Sequence, residues 1–220
     1  KVDWHVNDQL TVSLGARWTT EDKDIDATIN IDDPFSALTL TGPFAGLGVF
    51  QFNKPADDFD EDRSENETTG ALIISYELND DISLYASANR GYKAGGFNVS
   101  ADAANSSIDF GKEIADSFEI GAKTRLLDNR AQVNIAAFTQ RLRDFQTNAF
   151  NGSGFTLVNA GRVEIDGLEL ESFYAPTENL TLSLAATYLD AEYGSYERMR
   201  PDGTVLEIHT VPLPSGGAVR

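Results

Sequence analysis

The sequence predicts an all-β chain, a fragment of an antiparallel transmembrane β-barrel, and three observations carry that reading. Apolar and polar residues alternate with period two over long stretches. These stretches exceed the roughly five or six residues of an ordinary globular strand and reach the roughly 9–11 that a tilted strand needs to cross hydrocarbon. Finally, the connections between them alternate short and long along the chain.

The first strand with clear alternation covers 10–26. Leu10, Val12, Leu14, Ala16 and Trp18 fall on one side, and Thr11, Ser13, Gly15, Arg17 and Thr19 on the other. Further strands are expected at 68–78, 82–93, 115–126, 130–147, 163–175 and 180–193. Within 115–126, Phe118, Ile120, Ala122, Thr124 and Leu126 oppose Glu119, Gly121, Lys123 and Arg125. Leu168, Leu170, Ser172 and Tyr174 oppose Gly167, Glu169, Glu171 and Phe173, and Leu180 to Tyr188 repeats the pattern. With partial units at both ends the count is about eight strands, each with one apolar and one polar face.

Alternation alone fits a soluble sandwich, whose apolar face points inward, as well as a barrel that faces lipid with its apolar set. Strand length and loop sorting separate the two. Short polar turns sit at 7–9, 79–81, 127–129 and 176–179, and long connections at 27–67, 94–114, 148–162 and from 194 on. Antiparallel strands put alternate connections at opposite ends, so one end carries tight turns and the other long loops, as in outer-membrane barrels. Trp4, Trp18, Tyr76, Tyr85, Tyr92, Tyr174 and Tyr188 lie toward strand ends, where interfacial girdles form.

Composition agrees. The 220 residues contain no cysteine, hence no disulfide or thiolate site. A net charge of −18 argues against a nucleic-acid partner, since phosphate binding needs a basic face. No apolar run is long enough for a membrane-spanning helix. The chain opens at Lys1 without Met or a leader and closes after a Pro/Ser/Gly-rich stretch, and reads as an excerpt of a longer protein.

Three passages resemble TonB-dependent receptors. They are the strand-to-loop run from Ser83 through Tyr85-Ala86-Ser87-Ala88-Asn89-Arg90-Gly91-Tyr92-Lys93-Ala94-Gly95-Gly96-Phe97-Asn98, the strand start Ala115-Asp116-Ser117-Phe118-Glu119-Ile120-Gly121-Ala122-Lys123, and Val158-Asn159-Ala160-Gly161-Arg162-Val163-Glu164-Ile165-Asp166-Gly167-Leu168-Glu169-Leu170-Glu171. They stand in the family's order at hairpin spacing. Lys112-Glu113 stands where the family often has Pro-Glu. The resemblance implies that residues 1–220 are part of a barrel of about 22 strands whose lumen is occluded by a plug. The plug and the C-terminal closing strand would lie outside the chain. It further implies a Gram-negative outer-membrane location, lipid contact, coupling to the TonB complex, and import of a scarce bulky solute, a ferric siderophore first among the candidates. A passive porin-like barrel and a secreted β-sandwich binding module are the alternatives.

No catalytic constellation, cofactor motif or metal-ligand spacing stands out, and no enzymatic activity is expected. His5 and His209 lie at opposite ends and read as incidental. Asp57-Asp58-Phe59-Asp60-Glu61-Asp62 reads as a solvated external loop, with Ca²⁺ chelation as the sharper reading. Asp22, Asp24 and Asp26 mimic the start of an EF-hand loop, but Ala27 stands where its Gly should be, and strand alternation explains the spacing. Glu119, Lys123, Arg125, Glu169 and Glu171 belong to the polar face, where they meet either solvent or a plug. For the solute the candidates are the aromatics near the long-loop end, Tyr92, Phe97, Phe145, Phe150 and Phe155, with girdle or loop packing as the plainer role.

Overall fold

The computed structural model describes residues 1–29, 57–98, 108–150, 155–199 and 205–212. Eleven strands follow in chain order: β1 (Val2–His5), β2 (Leu10–Ile29), β3 (Asp57–Asn79), β4 (Ile82–Lys93), β5 (Gly96–Phe97), β6 (Asp109–Phe110), β7 (Glu113–Thr124), β8 (Ala131–Phe150), β9 (Phe155–Thr177), β10 (Leu180–Met199) and β11 (Val205–Pro212). Nine of them form one antiparallel sheet in the order β1-β2-β3-β4-β7-β8-β9-β10-β11, and β5 and β6 pair separately. The sheet is an open meander with β1 and β11 as its edges.

The expected strands are all present, and most run further than the alternation suggested. β2 reaches Ile29 and pairs in unbroken register with β3 as far as Ile29↔Asp57. The acidic run 57–62 is therefore strand, not loop. β8 and β9 pair out to Phe150↔Phe155, so most of the long connection expected at 148–162 is ladder. β11 pairs with the end of β10 and completes a sheet of nine strands, in line with the expected count of about eight. The physical cause is common to all three. A strand tip beyond an apolar belt satisfies its backbone through the ladder and its side chains through water, so polar composition does not end it.

The short turns are built by local polar chemistry. The Asn7 carboxamide oxygen accepts from the amides of Gln9 and Leu10 at 2.9 and 2.8 Å, and that of Asn79 accepts from Asp81 at 2.9 Å. Leu127, Asp128 and Asn129 take left-handed φ values of 56°, 54° and 65°, which tightens the β7–β8 turn. The β9–β10 connection has only Glu178 and Asn179 between its strands.

Register turns the alternation of single strands into two continuous faces. On one, Val12, Ile74, Ala86, Ile120, Ala137, Leu168 and Tyr188 stand in a single row across β2 to β10. Nothing among the described residues covers it. Trp18 is 67% exposed, Ile120 63% and Tyr188 65%. Among the described residues the buried apolar side chains are Ile114, Ala131, Ala160 and Val163. A sandwich would pack a second sheet on this face, so the fold is a single-layer barrel wall and the sandwich alternative falls.

The polar face packs sideways across its own strands. Tyr85 lies over Gly121, where an added Cβ would come 2.6 Å from the ring. Phe138 lies over Gly167 in the same way. The Tyr85 hydroxyl donates to Glu119 at 2.5 Å, and Lys123 sits 5.2 Å from the Tyr85 ring centre. Bulky side chains fill the space that glycine leaves on a neighbouring strand, which keeps this face close-packed without a second layer.

Candidate functional site

At the long-loop end, stretches 94–98 and 108–112 of the connection between β4 and β7 fold down onto the polar face. The β2 and β3 extensions supply one anchor. Lys23 donates to the Gly95 carbonyl at 2.6 Å, and the Gly95 amide donates to Glu65 at 3.1 Å. Arg63 pairs with Glu65 and, at 3.0 Å, with Asp109 of β6. Gly95 has no room for a side chain, because a Cβ there would lie 2.5 Å from the Phe110 carbonyl and 2.7 Å from the Arg63 guanidinium.

The second anchor comes from β8 and β9. Gln146, only 5% exposed, donates through Nε2 to the carbonyls of Ala94 and Gly111, each at 2.9 Å. Its backbone amide donates to Glu113 at 2.8 Å. Asn159 accepts from the Gly111 amide at 2.6 Å and donates to the carbonyls of Gly111 and Asp144 at 2.9 and 2.8 Å. Asn98 forms a reciprocal pair with the Leu157 backbone at 2.9 and 2.8 Å. These carboxamides act as detached peptide groups and satisfy loop backbone that would otherwise be buried without partners. Lys112 closes the ring on Glu67. That ion pair holds the Glu67 carboxyl below its usual range.

Between the anchors lies a cleft of about 490 Å³, lined by Arg63, Ser64, Asn66, Lys112, Asp144 and Asn159, with Glu65 and Gly111. Asp144 holds a left-handed φ of 55° inside β8, the kind of backbone strain that collects at binding sites. The buried Gln146 Oε1 finds no donor among the described residues. The cleft is walled by the paired charges of Arg63, Glu65 and Lys112, by Asp144 and by the Asn159 carboxamide. It suits hydrogen-bonding recognition of a polar, oxygen-rich solute better than the capture of a bare ion.

The aromatic candidates whose side chains are described, Tyr92, Phe97, Phe145 and Phe155, do not converge here. Tyr92 has the parity of Ala86, Ala88 and Arg90 and belongs to the apolar face. Phe145 packs edge-on against Tyr193, with ring centres 6.2 Å apart. Phe97 is half-buried in the β5–β6 pair, next to the clamp. Phe155 begins β9 and is 68% exposed. Phe150 ends β8, and its side chain lies outside the described residues. The residues that build the cleft carry no local sequence signal, apart from the Lys112-Glu113 departure, both of whose members tie down the loop.

The remaining polar candidates take structural places. Arg125 donates to the Asp80 carbonyl at 2.9 Å beside a short turn. Glu169 and Glu171 stand on the polar face. His5 bonds Thr11 at 2.9 Å, and the side chain of His209 lies outside the described residues. No group of potential metal ligands occurs among the described residues. Asp60 and Asp62 share one face of β3 and Glu61 points to the other, and the side chains of 57–59 lie outside the described residues.

A single-layer meander of long strands, apolar on its uncovered face and capped by an inward-folded loop, is a segment of transmembrane β-barrel wall. The chain belongs to the TonB dependent receptor-like β-barrel family, whose model matches residues 1–212. It is 27% identical over 169 residues to the pesticin receptor of Yersinia enterocolitica, covering 77% of this chain and 22% of that protein. It is also 27% identical over 159 residues to the metal-pseudopaline receptor CntO of Pseudomonas aeruginosa, covering 72% and 21%. Among solved structures, the ferric yersiniabactin uptake receptor FyuA from Yersinia pestis superposes with a TM-score of 0.67 at 19% identity, over 86% of this chain and 25% of that one. The siderophore receptor PiuA from Acinetobacter baumannii gives 0.63 at 20% identity, over 93% and 26%. The chain thus spans about a fifth of the length of the curated relatives it matches. The family is one of transport receptors, not enzymes.

Proposed function

We propose that this chain is a wall segment of an outer-membrane receptor that captures a scarce bulky solute at its long-loop end and imports it with TonB-coupled energy. A ferric siderophore is the favoured solute. Residues 1–220 would form part of the barrel domain, and a plug domain elsewhere in the protein would meet the polar face. The observation that carries the reading is the clamp of Gln146, Asn159 and Asn98, which folds the β4–β7 connection over the lumen side of the wall. In a receptor, loops on a rigid scaffold are where binding residues sit. Family membership and the names of the relatives support the same reading. Solute contact falls to Arg63, Lys112 and Asn159, with Phe97 and Phe155 as flanking aromatics.

The test is uptake of ⁵⁵Fe, supplied on a panel of catecholate, hydroxamate and phenolate chelators, by cells whose only outer-membrane iron receptor is the full-length protein. Uptake of one chelate class is expected, and it should vanish when TonB is deleted. Constitutive ion conductance in planar bilayers with no TonB-dependent uptake would establish a passive pore instead.

A further inference from the structure

The cleft at the long-loop end carries more negative charge than its cations neutralise. Arg63 pairs with both Glu65 and Asp109. Lys112 pairs with Glu67, and Lys23 with Glu21 at 3.0 Å. Lys93 stands opposite Glu113 in the β4–β7 ladder. Arg17 lies further along the wall, opposite Thr69, and is not part of the lining. Each cation at the cleft therefore already has a carboxylate. The reverse does not hold. The Asp144 side chain lines the cleft, is exposed, and has no hydrogen bond or ion pair among the described residues.

Asp144 is also fixed in place. Its left-handed φ of 55° falls inside β8. Asn159 donates to its carbonyl at 2.8 Å, and Gln146, two residues on, is tied to Ala94 and Gly111. Glycine takes such a φ freely and aspartate at a cost, but only aspartate brings a carboxylate to the wall. A bare metal ion would need several oxygen ligands, and no group of potential metal ligands occurs among the described residues. An ammonium group needs only one carboxylate, with which it makes a short, charge-assisted hydrogen bond. A cleft of about 490 Å³ has room for that group and for part of the body that carries it.

We infer that the solute is a chelate bearing a protonated primary amine, and that Asp144 is the residue that binds its ammonium group. The surplus carboxylates around the cleft favour such a solute over one that ends in a neutral or anionic group. The inference rests on the proposed receptor reading, because the cleft must be where the solute is taken.

The test is ⁵⁵Fe uptake by cells whose only outer-membrane iron receptor is the full-length protein. Three pairs of chelators are supplied, a catecholate, a hydroxamate and a phenolate, each ending either in a free primary amine or in the same amine acetylated. For the class that is taken up, the half-saturating concentration should be about tenfold lower for the free amine, the size of one charged hydrogen bond. In Asp144→Asn the two members of that pair should become equal, through a rise in the value for the free amine. Asparagine tolerates a left-handed φ as aspartate does, and heat-modifiable gel migration identifies the folded variant. Should the variant not fold, the wild-type pair decides alone. Equal values for the two members in the wild type, or a lower one for the acetylated member, would overturn the inference. So would a preference for the free amine that persists in Asp144→Asn. Absence of TonB-dependent uptake for every pair would overturn the receptor reading itself, a separate failure.

Discussion

The two faces of this sheet are made by the same strands and held by different forces. On the apolar face no described residue covers the row from Val12 to Tyr188, and Ile120 and Leu184 are 63% and 58% exposed. On the polar face the side chains cover one another, with Tyr85 over Gly121 and Phe138 over Gly167, and a loop is fastened above them. One face therefore depends on its solvent and the other on its neighbours. A substitution at the same height in the wall should act differently according to parity alone.

The largest effect is expected where the contrast is sharpest. Ile120→Arg puts a charge in the middle of the apolar row, and in a lipid-facing position that costs about 2–4 kcal/mol. Thr187→Arg lies at a similar depth on the other face, directly across from Glu169, and should change stability by no more than about 0.5 kcal/mol. Denaturant unfolding of the full-length receptor in lipid vesicles measures both. Equal costs would mean that the apolar face does not meet lipid.

A smaller effect sharpens the description of the polar face. Gly167→Ala drives a methyl group into the Phe138 ring and to 3.0 Å from Leu189. It should cost about 1–3 kcal/mol, the usual range for overpacking. Phe138→Ala should relieve most of that cost, so a double-mutant cycle should show strong coupling between the two sites. Additive losses would show that the ring does not depend on the glycine.

Next comes the clamp, whose loss should be local. Gln146→Leu keeps the bulk but removes donors to Ala94 and Gly111. Each lost bond is worth about 1 kcal/mol. Hydrogen exchange should quicken at 94–98 and 108–112, while the midpoint of global unfolding stays near its original value. A shift in global stability without local exchange would instead make Gln146 a core residue of the wall.

The same contrast explains what could be read from sequence. Alternation such as Leu10-Thr11-Val12-Ser13 names the strand, its length and its two faces, because lipid exposure imposes a strict period. Where that demand stops, the signal stops. The tips at 57–67, 148–150 and 155–162 lack the apolar–polar alternation and read as loops, although their backbones are paired in the ladder. The cleft was less legible still. Arg63, Lys112, Gln146 and Asn159 come from four segments that meet only through the ladder, and a lone Gln or Asn between alternating residues looks like any other. The aromatics drew attention because they are rare and large, and the structure sends them to several different environments.

The smallest predicted effect concerns the ion pair that fastens Lys112 to β3. Lys112 donates to Glu67 and holds its carboxyl below the usual range. A depressed carboxylate stabilises the folded loop fully above its unfolded pKa, near 4.3, and loses that contribution as pH falls through the lower folded value. Exchange protection around Lys112 should therefore be flat from about pH 7 to about pH 5 and weaken only below about pH 4.3. Glu67→Gln should remove the acid-side dependence while leaving the Gln146 and Asn159 bonds in place, so protection at neutral pH should drop by a fraction of what Gln146→Leu costs. If protection instead declines between about pH 7 and pH 5, a group with a higher pKa than this carboxylate governs the loop. The contrast between a wall held by lipid and neighbours and a loop held by charge would then need a different charged partner.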